Sequence, residues 1–133
     1  MNNIYCINLK HRTDRLEALK ANIKKFNIDC ELNVVEAIKK KDGQLGCGLS
    51  HLKIIKMAKQ NNWDKVIVIE DDCEFNKNSN EIFNRSMKDL PGDCDIFLGG
   101  AHKIKIVKKI NNTNLFKLKK FKGTHFIMYN KSV

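Results

Sequence analysis

Lys65-Val66-Ile67-Val68-Ile69-Glu70-Asp71-Asp72 contains the clearest strand in this chain. Val66 to Ile69 are all β-branched and apolar, with no polar position among them. That is the pattern of a strand covered on both faces, as in a parallel sheet with helices above and below. The strand runs straight into three carboxylates. In open α/β sheets, ligands bind outside the carboxyl ends of the strands. Three acids crowded at that mouth repel one another, and a divalent cation would offset the repulsion. Mg²⁺ prefers one or two carboxylates together with phosphate oxygens over a full protein cage. Asp72 is the expected direct metal ligand, Glu70 is expected to reach the metal through water or to touch a sugar, and Asp71 is expected to point away. An acidic turn that merely caps the next segment explains the strand ending equally well.

Upstream, Ile4-Tyr5-Cys6-Ile7-Asn8-Leu9 is a second short, β-prone run. Thr13 is placed to cap a helix opening at Asp14, and Leu16, Leu19, Ile23 and Phe26 give that helix one apolar face. A strand follows at Leu32 to Ala37, completing a β-α-β unit and so favouring a parallel sheet. Lys39 to Gly48 reads as a glycine-bearing loop before a helix from Leu49 to Asn61. Downstream, a short helix is expected at Glu81 to Lys88, a turn at Leu90-Pro91-Gly92-Asp93, and a strand at Asp95 to Leu98 closed by Gly99-Gly100. Three further β-prone runs complete the chain, at Ile104 to Ile110, Leu115 to Leu118 and Thr124 to Tyr129.

At 133 residues the chain is expected to be one domain, residues 1–133. No apolar run approaches the ~20 residues of a membrane span, and the first strand starts too early to leave room for a signal peptide. The chain is therefore expected to be cytoplasmic, or a domain cut from something larger. The net charge of +10 is nearly all lysine, spread along the chain, which helps an anionic substrate arrive but reads mainly as solvated surface. Phe116, Phe121 and Phe126 alternate with lysine, yet that spacing is equally a strand core pattern, so no nucleic-acid partner is expected. The five cysteines are odd in number and form no C-x-x-C pair, which argues for reduced thiols. Cys47 and His51 have the i,i+4 spacing of two zinc ligands, but no second pair with ligand spacing exists.

Two further groups bear on chemistry. Gly43-Gln44-Leu45-Gly46-Cys47-Gly48-Leu49-Ser50-His51 would let a backbone approach an anion at a helix start, although no dinucleotide or Walker pattern is present. His51 is either a donor to substrate or a satisfied histidine. Arg12 and Arg15 suit pyrophosphate because the guanidinium fork binds bidentately; balancing Asp14 and Glu17 on the surface serves equally well as their role. Phospho-acceptor receiver domains also place acids after an apolar strand, but there the strand opens the domain, whereas here about half the chain precedes it.

Taken in order, these pieces resemble glycosyltransferase family 25, the lipooligosaccharide and collagen glycosyltransferase group. The family opens with "INL" and an "R-x-D-R" helix start, matched by Ile7-Asn8-Leu9 and Arg12-Thr13-Asp14-Arg15. Its "G-E-x-G-C-x-L-S-H" landmark is matched by Gly43 to His51, with Gln44 in place of the usual glutamate. Its "L-E-D-D" strand end is matched by Ile69-Glu70-Asp71-Asp72, and Thr124 to Asn130 is similar to a later family strand. The resemblance implies a GT-A-like nucleotide-diphospho-sugar transferase fold, with a mostly parallel central sheet and helices on both faces, shortened at the C-terminus. It implies a metal-dependent hexosyltransferase of lipopolysaccharide biosynthesis or protein glycosylation. That enzyme would move galactose or glucose from a UDP-sugar to a hydroxyl on a glycan or protein, with Mn²⁺ or Mg²⁺ as cofactor. Asn8, Leu9, Arg12, Arg15 and Ala37 would then lie near the nucleotide. Gly46, Ser50, His51, Glu70 and Asp71 would border the sugar diphosphate, and Asp72 would hold the metal. His51 and Glu70 are the catalytic candidates.

Family members usually continue past the position matching Val133, and the resemblance implies that the acceptor contacts and the catalytic base belong to that later part; no Asp or Glu follows Asp95 here. A module that binds the UDP-sugar without transferring it is therefore the alternative. The free edge of a shortened sheet would favour pairing with a second copy of the chain.

Overall fold

The computed structural model describes residues 3–133. Eight elements follow in order: β1 (Asn3–Asn8), α1 (Thr13–Lys25), β2 (Glu31–Glu36), α2 (Gly43–Gln60), β3 (Lys65–Glu70), α3 (Ser79–Asp89), β4 (Ile96–Lys109) and β5 (Phe116–Asn130). The strands form one sheet in the order β2-β1-β3-β5-β4. β1 is parallel to β2 and to β3, while β5 is antiparallel to both β3 and β4. The α/β class stands, but the sheet is mixed instead of mostly parallel. The parallel half comes from β-α-β crossovers, as the helical periodicity of Leu16 to Phe26 requires. The antiparallel half arises because β4 and β5 are joined by a short turn, and strands linked that way can only run in opposite directions.

Helices cover both faces, and the strands divide their side chains between them with period two. Ile4 and Cys6 of β1, Ile67 and Ile69 of β3, and Phe126 and Met128 of β5 face Leu19, Ile23, Phe83 and Met87 of α1 and α3. Ile7, Val66 and Val68 face Ile54 and Ala58 of α2, with Tyr5, Val35, Trp63 and Tyr129 at the margin. Tyr5 and Trp63 stack with ring centroids 5.0 Å apart. The continuous apolar run of β3 is thus explained by burial on both sides.

Local endings differ from the sequence expectation in three places. Arg12, not Thr13, is the N-cap of α1, Thr13 is its first helical residue, and no side-chain cap forms. The glycine segment is no loop but the first two turns of α2. Asp42 caps it, with Oδ1 accepting from Gln44 N at 2.9 Å and Leu45 N at 3.3 Å. Helix propensity disfavours three glycines there, but capping and packing override it. Gly99-Gly100 does not close a strand; β4 continues through it to Lys109. Both α1 and α2 end on an asparagine with positive φ, Asn27 at 48° and Asn62 at 55°. In each case the following N–H bonds back across the last turn, Ile28 to Ile23 O and Trp63 to Ala58 O, both at 3.0 Å. Among the described residues no helix is long and apolar enough to cross a membrane.

Candidate functional site

The three parallel strands end together, which brings Asn8, Leu9, Ala37 and the acidic triplet to one edge. Ala37 N donates to Asn8 O at 2.9 Å, pinning the end of β2 to that of β1. Asn8 is buried, and its Nδ2 donates to Arg12 O at 3.0 Å and to Asp71 Oδ2 at 2.9 Å. Arg15 Nη1 donates to Asp71 Oδ1 at 3.1 Å. Asp71 therefore points into the fold, its side chain only 10% exposed, and neighbouring Asp72 is 42% exposed. The chain turns immediately after β3, with Cys73 N donating to Glu70 O at 3.0 Å, and this turn sends the two acids in different directions.

Asp72 Oδ1 lies 2.9 Å from His125 Nδ1, and Arg15 Nη1 lies 3.7 Å from Asp72 Oδ2. Glu70 accepts a short hydrogen bond from Thr124 Oγ1. The ligand atoms of Glu70, Asp72 and His125 all lie within 4.8 Å of one another. His125 and Thr124 were not singled out in the sequence. Only the antiparallel register, in which Ile69 pairs with Phe126, carries this part of β5 to the end of β3; a strand pattern at Thr124 to Tyr129 was the available signal.

A cavity of about 260 Å³ opens at this edge. Its lining includes Arg12, Arg15, Ala37, Gly46, Glu70 and Asp71. A second cavity of about 640 Å³ adjoins Asp72 and His125 and is walled by Phe75, Phe83, Phe97 and Phe126. The guanidinium of Arg12 is engaged by Asp14, at 2.9 and 2.8 Å, and this pairing holds the Asp14 carboxyl down at about 2. Of the two arginines, Arg15 is the one tied to the acidic triplet.

The α2 residues divide between structure and site. A Cβ on Gly46 would sit 2.6 Å from Ile38 O, so glycine is what lets the helix lie against the 38–40 segment. Ser50 is buried and bridges the same contact, donating from Oγ to Gly46 O and accepting from Ile38 N, both at 2.8 Å. His51 is 4% exposed, with Nδ1 3.1 Å from the Tyr129 hydroxyl. Burial lowers its pKa, and the nearby Glu70 opposes this in part. Burial first, then Cys47 and Glu70, push the Tyr129 hydroxyl up to about 12. Of the sequence-derived candidates, Gly46 and Ser50 shape the groove wall, and His51 sits beneath the site as a buried group.

The α/β domain thus carries a carboxylate-rich strand end beside an arginine-lined groove. Residues 41–133 match the sequence profile of "Glycosyltransferase family 25 (LPS biosynthesis protein)". The chain is also similar to procollagen galactosyltransferase 1-B of Xenopus laevis, 34% identical over 120 aligned positions covering 70% of this chain and 19% of that protein. A Haemophilus influenzae protein provisionally named a glycosyltransferase is 32% identical over 66 positions, covering 50% of this chain and 23% of that protein. The chain thus spans about a fifth of the length of the curated relatives it matches. This chain belongs to glycosyltransferase family 25.

Proposed function

We propose that this chain binds a UDP-sugar at the shared carboxyl edge of β1, β2 and β3 and supports transfer of a hexose to a hydroxyl on a glycan or protein acceptor. The convergence of Glu70, Asp72 and His125, with ligand atoms within 4.8 Å beside the arginine-lined groove, carries this proposal. Two carboxylates suit either Mn²⁺ or Mg²⁺, and the imidazole of His125 tips the mixed oxygen and nitrogen set toward the transition-metal ion Mn²⁺. Those residues fit the cation that the family implies. When bound, the cation supplies Lewis-acid neutralisation of charge developing on the departing diphosphate. Thr124 orients the Glu70 carboxylate, and His125 with Arg15 orients Asp72. Arg15 adds fixed positive charge at the same edge, and Asp71 holds that guanidinium in place. The name of the Xenopus relative supports galactose as the sugar, and the family description supports a lipopolysaccharide acceptor.

Donor binding without transfer is the alternative, since the groove and the acidic strand end supply contacts to a donor and do not by themselves supply contacts to an acceptor. Calorimetry with UDP-galactose and UDP-glucose, with and without Mn²⁺, separates the cases when joined to an assay of UDP release. Mn²⁺-dependent binding that weakens at least about tenfold in Asp72→Ala, together with UDP release, supports the transferase. Binding without release supports the module. No binding of any UDP-sugar with any divalent cation rejects both.

A further inference from the structure

We propose that Cys47, His51 and Glu70 form a second cation site, suited to zinc, on the inner side of the acidic strand end. The ligand atoms of these three residues lie within 4.8 Å of one another. Cys47 and His51 stand one helical turn apart on α2, and Glu70 closes β3, so all three are carried by regular elements. His51 supplies the independent observation. It is 4% exposed, its Nδ1 is taken by the Tyr129 hydroxyl, and its Nε2 is buried with no hydrogen-bond partner among the described residues. A buried imidazole nitrogen without a partner is unfavourable, and a cation resolves it. With Nδ1–H donating to Tyr129 Oη, the lone pair falls on Nε2, the arrangement by which an outer partner orients a metal-bound histidine.

The donor set selects the ion. One sulfur, one imidazole nitrogen and one carboxylate oxygen match a borderline-soft ion such as Zn²⁺ better than Mg²⁺ or Mn²⁺. Zinc bonds of about 2.0–2.3 Å place tetrahedral ligand atoms under about 4 Å apart, so the ion draws the three groups slightly inward. Binding replaces the Cys47 S–H proton, which leaves to solvent, so affinity rises with pH. Three protein ligands leave the fourth position open. Thr124 Oγ1 contacts both Cys47 Sγ, at 3.5 Å, and Glu70, and so ties β5 to the site. Glu70 is shared with the proposed diphosphate-side cation, but the inner site needs neither Asp72 nor a nucleotide.

The test is a Co²⁺ titration of the metal-free protein, read by the near-ultraviolet thiolate-to-cobalt charge-transfer band and reversed by Zn²⁺. One equivalent of Co²⁺ is expected to produce the band. Cys47→Ser should abolish it and His51→Ala should weaken the affinity at least about tenfold. The band should persist in Asp72→Ala, which separates this site from the proposed diphosphate-side one. In the unaltered protein Zn²⁺ should protect Cys47, but not Cys30 or Cys94, from maleimide, as read by peptide mass mapping. A band that survives Cys47→Ser, a band that disappears in Asp72→Ala, or Zn²⁺ that leaves Cys47 labelling unchanged overturns the proposal.

Discussion

Asn8 Nδ2 lies 2.9 Å from Asp71 Oδ2, which joins the end of β1 to the first residue beyond β3. Arg15 completes the same carboxylate from α1. One acid of the triplet is thereby built into the fold, and its neighbours Glu70 and Asp72 instead meet Thr124 and His125 of β5. Two adjacent aspartates should behave oppositely when replaced.

Asp71→Ala strands the buried Asn8 amide and frees the Arg15 guanidinium, and is expected to destabilise by about 2–3 kcal/mol. Asp72→Ala removes partly exposed ion pairs and should change stability by less than about 1 kcal/mol. Urea denaturation of both variants measures the contrast. Equal losses would show that Asp71 is not the structural member of the pair.

Gly46→Ala would press a methyl group to 2.6 Å from the Ile38 carbonyl oxygen, a backbone atom that cannot swing away. It should destabilise by about 1–3 kcal/mol. Ser50→Ala leaves the Ile38 N–H without its acceptor and should lose about 1–2 kcal/mol. Gly48→Ala is the control, since a Cβ there meets nothing within 4 Å, and helix propensity alone should make it neutral or mildly stabilising. Thermal melts rank the three.

His51 is held neutral by burial, with its pKa below the ordinary 6.5. Below that value the unfolded chain takes up the proton first, so this contribution is complete above about pH 6.5 and is lost as pH falls through the depressed folded value. Tyr129 works in the opposite direction. Its pKa is raised from 10.0 to about 12, so its contribution is complete below about pH 10 and is lost as pH rises through about 12. Urea midpoints of His51→Gln should fall less than wild type on acidification, and those of Tyr129→Phe should fall less on alkalinisation. Parallel profiles would contradict the assignment.

Burial pushes the Cys6 and Cys73 thiols up to about 12, with nearby carboxylates adding to the effect. Their thiolate fraction at neutral pH is then about a thousandfold below that of an ordinary thiol. Maleimide should label Cys30 and Cys94 in the native protein and reach Cys6 and Cys73 only in denaturant. Native labelling of Cys73 would show that the segment after β3 opens readily.

Much was legible in the chain itself. Val66 to Ile69 announced a strand buried on both faces, and the helical repeat Leu19, Ile23 and Phe26 announced the first crossover helix, because both patterns record which neighbours a side chain must meet. The order of strand, helix and strand placed Asn8, Ala37 and the acids at one edge. Local propensity misread the glycine segment, since it counts the entropy cost of glycine but not the clash a larger residue would make with Ile38.

The α/β class, the converging strand ends and the acidic triplet at the candidate site can all be read along the chain, because alternation and charge are local properties. The mixed sheet, the inward turn of Asp71, and the approach of His125, Thr124 and Tyr129 from a strand more than fifty residues away emerge only from the assembled fold. The physical reason is register. Side chains alternate along a strand, so a shift of one residue between β3 and β5 would send every such group to the opposite face, and no local pattern in either strand records that alignment.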